Sequence, residues 1–104
     1  MIAPFRFHPA ARAELRDAVD HYDDIRIELG DQFTSIVDDA LEHIVNNPHT
    51  GEPFDAGTRR YGLTRFPYSI IFLPDRSPIM IVAVPHQRRR PGYWLDRLKT
   101  VDES

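Results

Sequence analysis

The order of apolar and polar positions predicts a strand and then two helices in the first half of the chain. Residues 2–7 alternate as a strand does, and Pro4 favours a sheet edge or the strand's start. His8-Pro9 then opens a helix over about residues 10–27, because proline is favoured in the first turn. The apolar stripe of this helix repeats at steps of four and three residues: Ala11, Leu15, Ala18, Tyr22 and Ile25. The remaining surface carries acids: Glu14, Asp17, Asp20, Asp23 and Asp24.

A second helix follows after a short turn. Leu29-Gly30-Asp31 breaks the first helix and begins the second, which Asn46-Asn47-Pro48 ends. The apolar stripe of the second helix is formed by Phe33, Ile36, Val37, Ala40, Leu41 and Ile44. Two stripes joined by so short a turn describe an antiparallel helical hairpin whose apolar faces need a partner surface.

The second half of the chain predicts a sheet that would cover this hairpin. After a loop over residues 51–57, strands are expected at residues 58–66, 68–73 and 79–85, with a hairpin loop at 74–78. The apolar run 79–84 is typical of a strand buried on both faces. The prediction is a single α+β domain over residues 1–104. It has an N-terminal strand, an antiparallel helical hairpin, and a three-stranded antiparallel sheet packed on the helices.

Composition removes several classes of function. The chain has no cysteine, which excludes disulfides, thiolate metal sites and a cysteine nucleophile. It has no glycine-rich phosphate loop and no zinc signature, so no cofactor is expected. Asp17, His21 and Asp24 share a helical face, but this spacing without a second histidine is typical of a solvated acidic face, and no metal is expected. Without a long apolar run or a signal-peptide pattern, we expect a cytoplasmic protein with no membrane partner.

The charges divide along the chain. Residues 1–57 hold 4 arginines against 12 acids, a balance of −8, whereas residues 58–99 hold 9 basic groups against 2 acids, a balance of +7. The last five residues carry two acids, which gives the net charge of −3. Such asymmetry indicates a face for nucleic acid or an acidic protein. The alternative is a solvated surface whose charges happen to segregate by segment.

The basic half is densest directly after the last predicted strand. There the chain brings His86, the three arginines 88–90 and two aromatic rings to one edge of the sheet. Adjacent guanidiniums repel one another and cannot be buried unpaired, so they suit a surface that meets anions. A phosphate-rich or acidic partner is therefore expected at this edge.

Three further arginines lie on the first strand of the C-terminal sheet. Alternation places Arg59 and Arg65 on the side of Tyr61 and Leu63, with Arg60 opposite. Since Tyr61 and Leu63 are expected to face the core, a bulge or strand end must release one of these arginines to solvent. The hypothesis is a target- or nucleic-acid-binding face made of Arg59, Arg60, Arg65, Arg88, Arg89 and Arg90. The alternative is an edge strand protected by charge.

His86 and the two aromatic rings each have two interpretations. His86 could act as a general acid or base, or could be a strand-end histidine bonded to the backbone. Tyr93 and Trp94 could stack on bases, or could close the core beside the C-terminal segment. For Trp94, with Leu95 and Leu98 after it, we expect the core, whereas for Tyr93 both interpretations stay open.

Several short pieces of the chain, in this order and spacing, resemble one family. They are Phe7-His8-Pro9-Ala10-Ala11, Leu29-Gly30, Asn47-Pro48 with Gly51, residues 60–63 with Arg65-Phe66-Pro67-Tyr68, and His86 with Arg88-Arg89-Arg90-Pro91 and Trp94. Over about residues 3–98 the chain resembles the RelE/ParE superfamily, the toxins of bacterial type II toxin–antitoxin modules.

This resemblance implies a toxin of a plasmid-stabilisation module that a cognate antitoxin holds inactive. In this family the C-terminal segment of the antitoxin wraps the toxin's sheet and helical hairpin, folding as it binds. RelE-like members cut messenger RNA on the ribosome, whereas ParE-like members lack that catalytic set and poison DNA gyrase.

Two departures from the RelE pattern favour ParE-like inhibition of DNA gyrase without chemistry. The chain has a single lysine, Lys99, and it is acidic overall, whereas ribosome-dependent nucleases tend to be basic. One alternative is a metal-independent endoribonuclease acting on messenger RNA at the ribosome. In that case attack by a 2′-hydroxyl and phosphate stabilisation would rest on Arg65, His86, Arg89 and Tyr93. The other alternative is a decayed, non-toxic protein that keeps only antitoxin binding.

Overall fold

The computed structural model describes residues 4–101 and has a mixed sheet with two helices on one of its faces. In chain order the elements are β1 (Phe5–Phe7), α1 (Pro9–Ile25), α2 (Ile27–Asn46), β2 (Glu52–Pro53), β3 (Arg59–Gly62), β4 (Ser69–Leu73) and β5 (Ile79–Ala83). Short 3-10 turns lie at Asp55–Gly57 and Leu95–Lys99. The predicted α+β class is confirmed. The start of the predicted first strand, at residues 2 and 3, lies outside the described residues.

The two helices form the predicted antiparallel hairpin, but the break between them lies earlier than expected. His8 caps α1, since the Ala10 amide donates to His8 Nδ1 at 3.1 Å, and Pro9 occupies the first turn. The chain then leaves the helical conformation at Arg26, which is extended with φ −169° and ψ 134°.

The break predicted at Leu29-Gly30-Asp31 is therefore wrong, because α2 already begins at Ile27. Gly30 instead serves helix packing, since a Cβ at this position would collide with the side chain of Asp23 on α1. Ile25 also departs from its predicted place in the apolar stripe. As the last residue of α1, it lies at the turn between the helices with 57% of its surface exposed.

The sheet contains the predicted three antiparallel strands and extends beyond them on both sides. Its strand order is β1-β5-β4-β3-β2, with β1 parallel to β5 and the other pairs antiparallel. β1 is thus an edge strand, as Pro4 suggested. The segment predicted as a loop supplies the opposite edge, where Glu52 pairs in register with Arg60 and forms an ion pair with it at 2.7 Å. β3 is shorter than predicted, because it ends at Gly62 before the bend that leads to β4.

Both faces of the central strands are buried, as the apolar run 79–84 predicted. On the helix side, Ile70, Phe72, Ile79 and Ile81 pack with the apolar stripes of α1 and α2. On the opposite face, the C-terminal segment (residues 93–101) covers the sheet. Its Trp94 and Val101 form one apolar cluster with four residues of β4 and β5: Ile71, Met80, Val82 and Ala83. Trp94 is 2% exposed, which confirms its expected place in the core.

A β-bulge changes the direction of the side chains at the end of β5. Ile71 pairs with Ala83 and Phe72 with Ile81, so Val82 is the extra residue of β5 between these pairs. As a result Val82 and Ala83 both belong to the cluster under the C-terminal segment, whereas Val84 belongs to the helix side. The residues that follow β5 therefore lie between α1 and the C-terminal segment.

Candidate functional site

The loop that follows β5 carries the predicted basic cluster, and backbone hydrogen bonds hold its start. His86 forms an isolated antiparallel bridge with Tyr68, and the Gln87 amide donates to the Pro67 carbonyl at 2.8 Å. The Arg89 amide donates to the His86 carbonyl at 2.9 Å, which closes a turn. The arginines of this loop are therefore presented from a fixed backbone.

His86 adopts the backbone-bonded arrangement that was one of its two interpretations. Its Nδ1 accepts a hydrogen bond from the Arg88 amide at 3.0 Å, and its ring meets the Tyr68 ring edge-on at 5.1 Å between centroids. Because Nδ1 accepts, the neutral imidazole carries its proton on Nε2. In this tautomer Nε2 is a hydrogen-bond donor, and the lone pair of Nδ1 is already used by the Arg88 amide.

Tyr93 lies between an arginine and a carboxylate. The Arg89 guanidinium sits over its ring, with Cζ 4.0 Å from the centroid, and the hydroxyl donates to Glu14 Oε2 at 2.8 Å. Burial raises the pKa of Tyr93, and the neighbouring Glu14 carboxylate raises it further. The hydroxyl therefore stays protonated at neutral pH and is occupied as a donor to Glu14.

Sequence reasoning missed the group that organises this region, the ion pair of Glu14 with Arg97. Glu14 was expected on the acidic surface of α1, but its side chain is 17% exposed and that of Arg97 is 16% exposed. The two guanidinium nitrogens of Arg97 donate to the carboxylate at 2.7 and 3.0 Å. Glu14 lies three residues after Ala11 and four before Ala18, so the helical period itself places it on the buried stripe.

The same pair completes the backbone hydrogen bonding at the bulge of β5. The Val84 amide donates to Glu14 Oε1 at 2.9 Å, and Arg97 Nη1 donates to the Val82 carbonyl at 3.1 Å. Burial acts to raise the pKa of Glu14, but the hydrogen bonds from Arg97, Val84 and Tyr93 outweigh it and lower that pKa. Burial likewise opposes the charge of Arg97, but the contacts with Glu14 raise the pKa of Arg97 overall. Both groups are therefore charged at neutral pH.

Two cavities flank the loop after β5, one on each side. The first, of about 280 Å³, lies between α1 and the end of β5 and has Asp17, His21 and Tyr68 in its wall. The second, of about 180 Å³, lies beside the C-terminal segment and has Phe54 and Trp94 in its wall. Three of the four candidate catalytic residues line both cavities, namely His86, Arg89 and Tyr93.

The fourth candidate, Arg65, is placed elsewhere. It lies on the exposed bend after β3 with φ of 69°, and within residues 4–101 it does not contribute to either cavity wall. Arg88 is also exposed and absent from both described walls. The predicted release of one arginine at a strand end thus falls on Arg65, beyond the end of β3 at Gly62.

The remaining arginines of the predicted face divide between structure and surface. Arg59 donates to the Thr50 and Gly51 carbonyls at 2.9 and 3.0 Å and so fastens the loop after α2. Arg60 pairs with Glu52, while its Nη1 lies 3.2 Å from Ser69 Oγ. Three arginines remain together around the second cavity: Arg60, Arg89 and Arg90.

Asp17 and His21 line the first cavity, but among residues 4–101 no group of three or more histidine and acidic side chains is arranged to hold a metal ion. Neither helix in this range is both long and apolar enough to cross a membrane.

Sequence and structure comparisons place this α+β domain in a toxin family. The model of the family "ParE toxin of type II toxin-antitoxin system, parDE" matches residues 5–91, most of the chain. The chain belongs to this family of ParE toxins. The site just described therefore belongs to a protein of this toxin family, and membership in a type II system implies an antitoxin as its partner.

A solved structure supports the same assignment. The chromosomal ParDE toxin–antitoxin system from P. aeruginosa contains a chain that is 25% identical to this one, with a TM-score of 0.60. The similarity covers 79% of this chain and 92% of that chain. A search of curated proteins gave no match. The family match ends at residue 91, so Tyr93, Trp94 and Arg97 lie beyond the matched range.

Proposed function

We propose that this ParE-family toxin inhibits DNA gyrase by binding alone, and that a cognate antitoxin neutralises it in the cytoplasm. The observation that carries the proposal is the state of the candidate catalytic groups. The Tyr93 hydroxyl is committed to Glu14, and His86 Nδ1 is committed to the Arg88 amide. Activation of a 2′-hydroxyl requires a free base within reach of the nucleophile, and protonation of the leaving oxygen requires a free acid. The geometry supports docking better than it supports this chemistry.

The surface around the second cavity has the composition of a protein-docking site. Arg60, Arg89 and Arg90 surround an opening whose wall includes the partly exposed ring of Phe54. Arginine and aromatic side chains are enriched at protein interfaces, where the guanidinium pairs with carboxylates and stacks on rings. We infer that this surface receives an acidic patch of the target.

The antitoxin is expected to use the same charges and the sheet edges. β1 (Phe5–Phe7) is an edge strand of the described sheet, and an edge strand can accept an added strand from a partner chain. A partner that supplies acids to the arginines around the second cavity would occupy the target-docking surface directly. Inhibition by the antitoxin would then be competitive with the target.

One observation favours the alternative of an endoribonuclease. His86, Arg89 and Tyr93 do meet at the same two cavities, as a catalytic set would. For RNA cleavage, however, Tyr93 would have to leave Glu14 and His86 would have to leave the Arg88 amide. The two hypotheses therefore differ in what His86 contributes.

The test is induced expression in a bacterial host, with growth, transcript integrity and plasmid supercoiling scored from the same culture. We expect growth arrest with intact transcripts and relaxed or broken DNA. His86→Ala should keep this effect, whereas Arg89→Glu with Arg90→Glu should abolish it. Arg16→Glu, an exposed charge reversal on α1, is the matched control and should remain toxic.

Three outcomes would overturn the proposal. Transcripts cleaved on the ribosome, with cleavage lost in His86→Ala, would establish the endoribonuclease. Full toxicity of the Arg89 and Arg90 double reversal would remove the arginines from the docking surface. Normal growth despite folded, abundant protein would mean that only antitoxin binding survives.

A further inference from the structure

The carboxylate of Glu14 is saturated with hydrogen bonds. Oε1 accepts from the Val84 amide and Arg97 Nη1, and Oε2 accepts from the Tyr93 hydroxyl and Arg97 Nη2, all between 2.7 and 3.0 Å. A carboxylate offers about four acceptor positions, so none remains for a substrate or a transferred proton. Glu14 can therefore affect function only through the three residues that donate to its carboxylate, Val84, Tyr93 and Arg97.

Tyr93, one of these groups, lies beside the target-docking surface, which is formed by Arg60, Arg89 and Arg90 around the second cavity. Glu14 is on α1, whereas Tyr93 and Arg97 are on the segment after the basic loop, 79 and 83 positions later in the chain. Tyr93 is only partly buried, and Glu14 fixes its hydroxyl. The Cζ atom of Arg97 lies over the ring, 5.1 Å from its centroid. The ring is thus held at both its edge and its face.

The guanidinium of Arg89 packs on the ring of Tyr93, which is fixed in this way. Its Cζ is 4.0 Å from the Tyr93 centroid, the shortest of the arginine–ring distances in residues 4–101. An exposed arginine has many rotamers, and binding must pay the entropy of selecting one of them. A fixed aromatic face restricts that choice before the target arrives.

We propose that Glu14 is a positioning residue for the docking surface, which orients Arg89 by fixing the ring of Tyr93. This inference deepens the proposed function and rests on it for its target. Glu14 does not touch the target in this scheme. It links the helical layer, the bulge of β5 and the C-terminal segment to a single interface arginine.

The first measurement is nuclear magnetic resonance of the Arg89 side chain, which needs no target. The ring current of Tyr93 should displace the δ-methylene protons of Arg89 upfield in the wild type. In Glu14→Gln this displacement should shrink, because one amide oxygen cannot accept all four hydrogen bonds. Asp20→Asn removes the same charge from an exposed position of α1 and should leave the Arg89 signals in place.

The second measurement is a double-mutant cycle in a gyrase supercoiling assay. We expect Glu14→Gln to weaken inhibition by about two- to fivefold, which corresponds to the loss of one exposed cation–π contact. Glu14→Gln combined with Arg89→Ala should be no weaker than Arg89→Ala alone. A purely structural role for Glu14 would instead give losses that multiply.

The outcomes separate this inference from the function on which it rests. Unmoved Arg89 signals in Glu14→Gln, or multiplying losses, would overturn the positioning role. Inhibition that Arg89→Ala leaves intact would overturn the docking surface, while the Arg89 signals would still decide the positioning. Should Glu14→Gln fail to fold, Tyr93→Phe removes only the hydroxyl contact, and unchanged Arg89 signals in that variant would equally refute the role.

Discussion

Replacing Arg97 by methionine would leave the Glu14 carboxylate largely buried without its counter-ion. Methionine keeps the apolar stem of Arg97 but removes both hydrogen bonds to Glu14 and the one to the Val82 carbonyl. Because the two side chains are only 16% and 17% exposed, water can replace little of what is lost. Breaking a buried pair costs about 3–5 kcal/mol, and this residual exposure favours the lower end, about 3 kcal/mol.

Urea and thermal unfolding, followed by the fluorescence of the single tryptophan Trp94, would measure this cost. For a domain of this size each kcal/mol shifts the midpoint by about 4–8 °C, so Arg97→Met should lower Tm by about 12–24 °C. The control is Lys99→Met, whose ion pair with Asp96 at 3.9 Å is almost fully exposed and should contribute nothing measurable. A free energy of unfolding within about 1 kcal/mol of the wild type would refute the reasoning.

The loss of stability at acidic pH gives an independent measure of the ion pair between Glu14 and Arg97. The native pKa of Glu14 lies below its ordinary value of 4.5, despite burial, because of its hydrogen bonds. The unfolded state therefore takes up the proton first as the pH falls. The stability that Glu14 contributes is complete above about pH 4.5 and is lost as the pH falls through the native pKa.

In Arg97→Met the strongest contact that lowers the pKa of Glu14 is gone, whereas burial still acts to raise it. The loss of stability between about pH 5 and pH 3 should then be smaller than in the wild type. Urea midpoints measured for both proteins across this range would test the expectation. Parallel pH profiles would show that Arg97 does not set the titration of Glu14.

Three further substitutions test the fold. Gly51→Ala should destabilise by about 1–3 kcal/mol in urea unfolding, because Gly51 has φ of 78° and a Cβ would collide with the Arg60 carbonyl; a neutral effect would contradict this. Trp94→Ala should cost about 3–5 kcal/mol in urea unfolding followed by circular dichroism, since the substitution removes the tryptophan signal, and a small loss would mean that the C-terminal segment is not part of the core. Ile25→Ser with Ile27→Ser should change stability by less than about 0.5 kcal/mol, since these side chains are 57% and 67% exposed, and a large loss would contradict that exposure.

The helices and strands could be predicted from the periodicity of apolar residues, whereas the turns between them could not. The stripe from Phe33 to Ile44 and the apolar run of β5 each have one dominant period and were assigned correctly. The break between the helices was predicted at Leu29-Gly30-Asp31, where glycine is typical of a helix end. Here Gly30 lies inside α2, where its lack of a side chain lets α1 approach. That choice depends on the neighbouring helix, which local sequence does not contain.

The candidate site shows the same division. The sequence placed a basic, aromatic loop after β5, and the structure brings His86, Arg89 and Tyr93 together there. The sequence did not show that Arg65 lies apart from these residues, on the bend after β3 with a left-handed φ of 69°. Nor could it pair Glu14 with a residue 83 positions away, although the helical period already marked Glu14 as facing inward.

The joining of the chain's two ends in space has a consequence for how the toxin is made. The helical hairpin can form from local contacts. The pairing of β1 with β5 and the ion pair of Glu14 with Arg97 can form only after the later part of the chain is present. Contacts between such distant positions slow folding, because a long loop must close before they form. During synthesis the basic loop therefore reaches its final geometry only after Tyr93 and Arg97 have left the ribosome. A chain that stops before Tyr93 would carry the arginines of this loop without the ring and the ion pair that order Arg89.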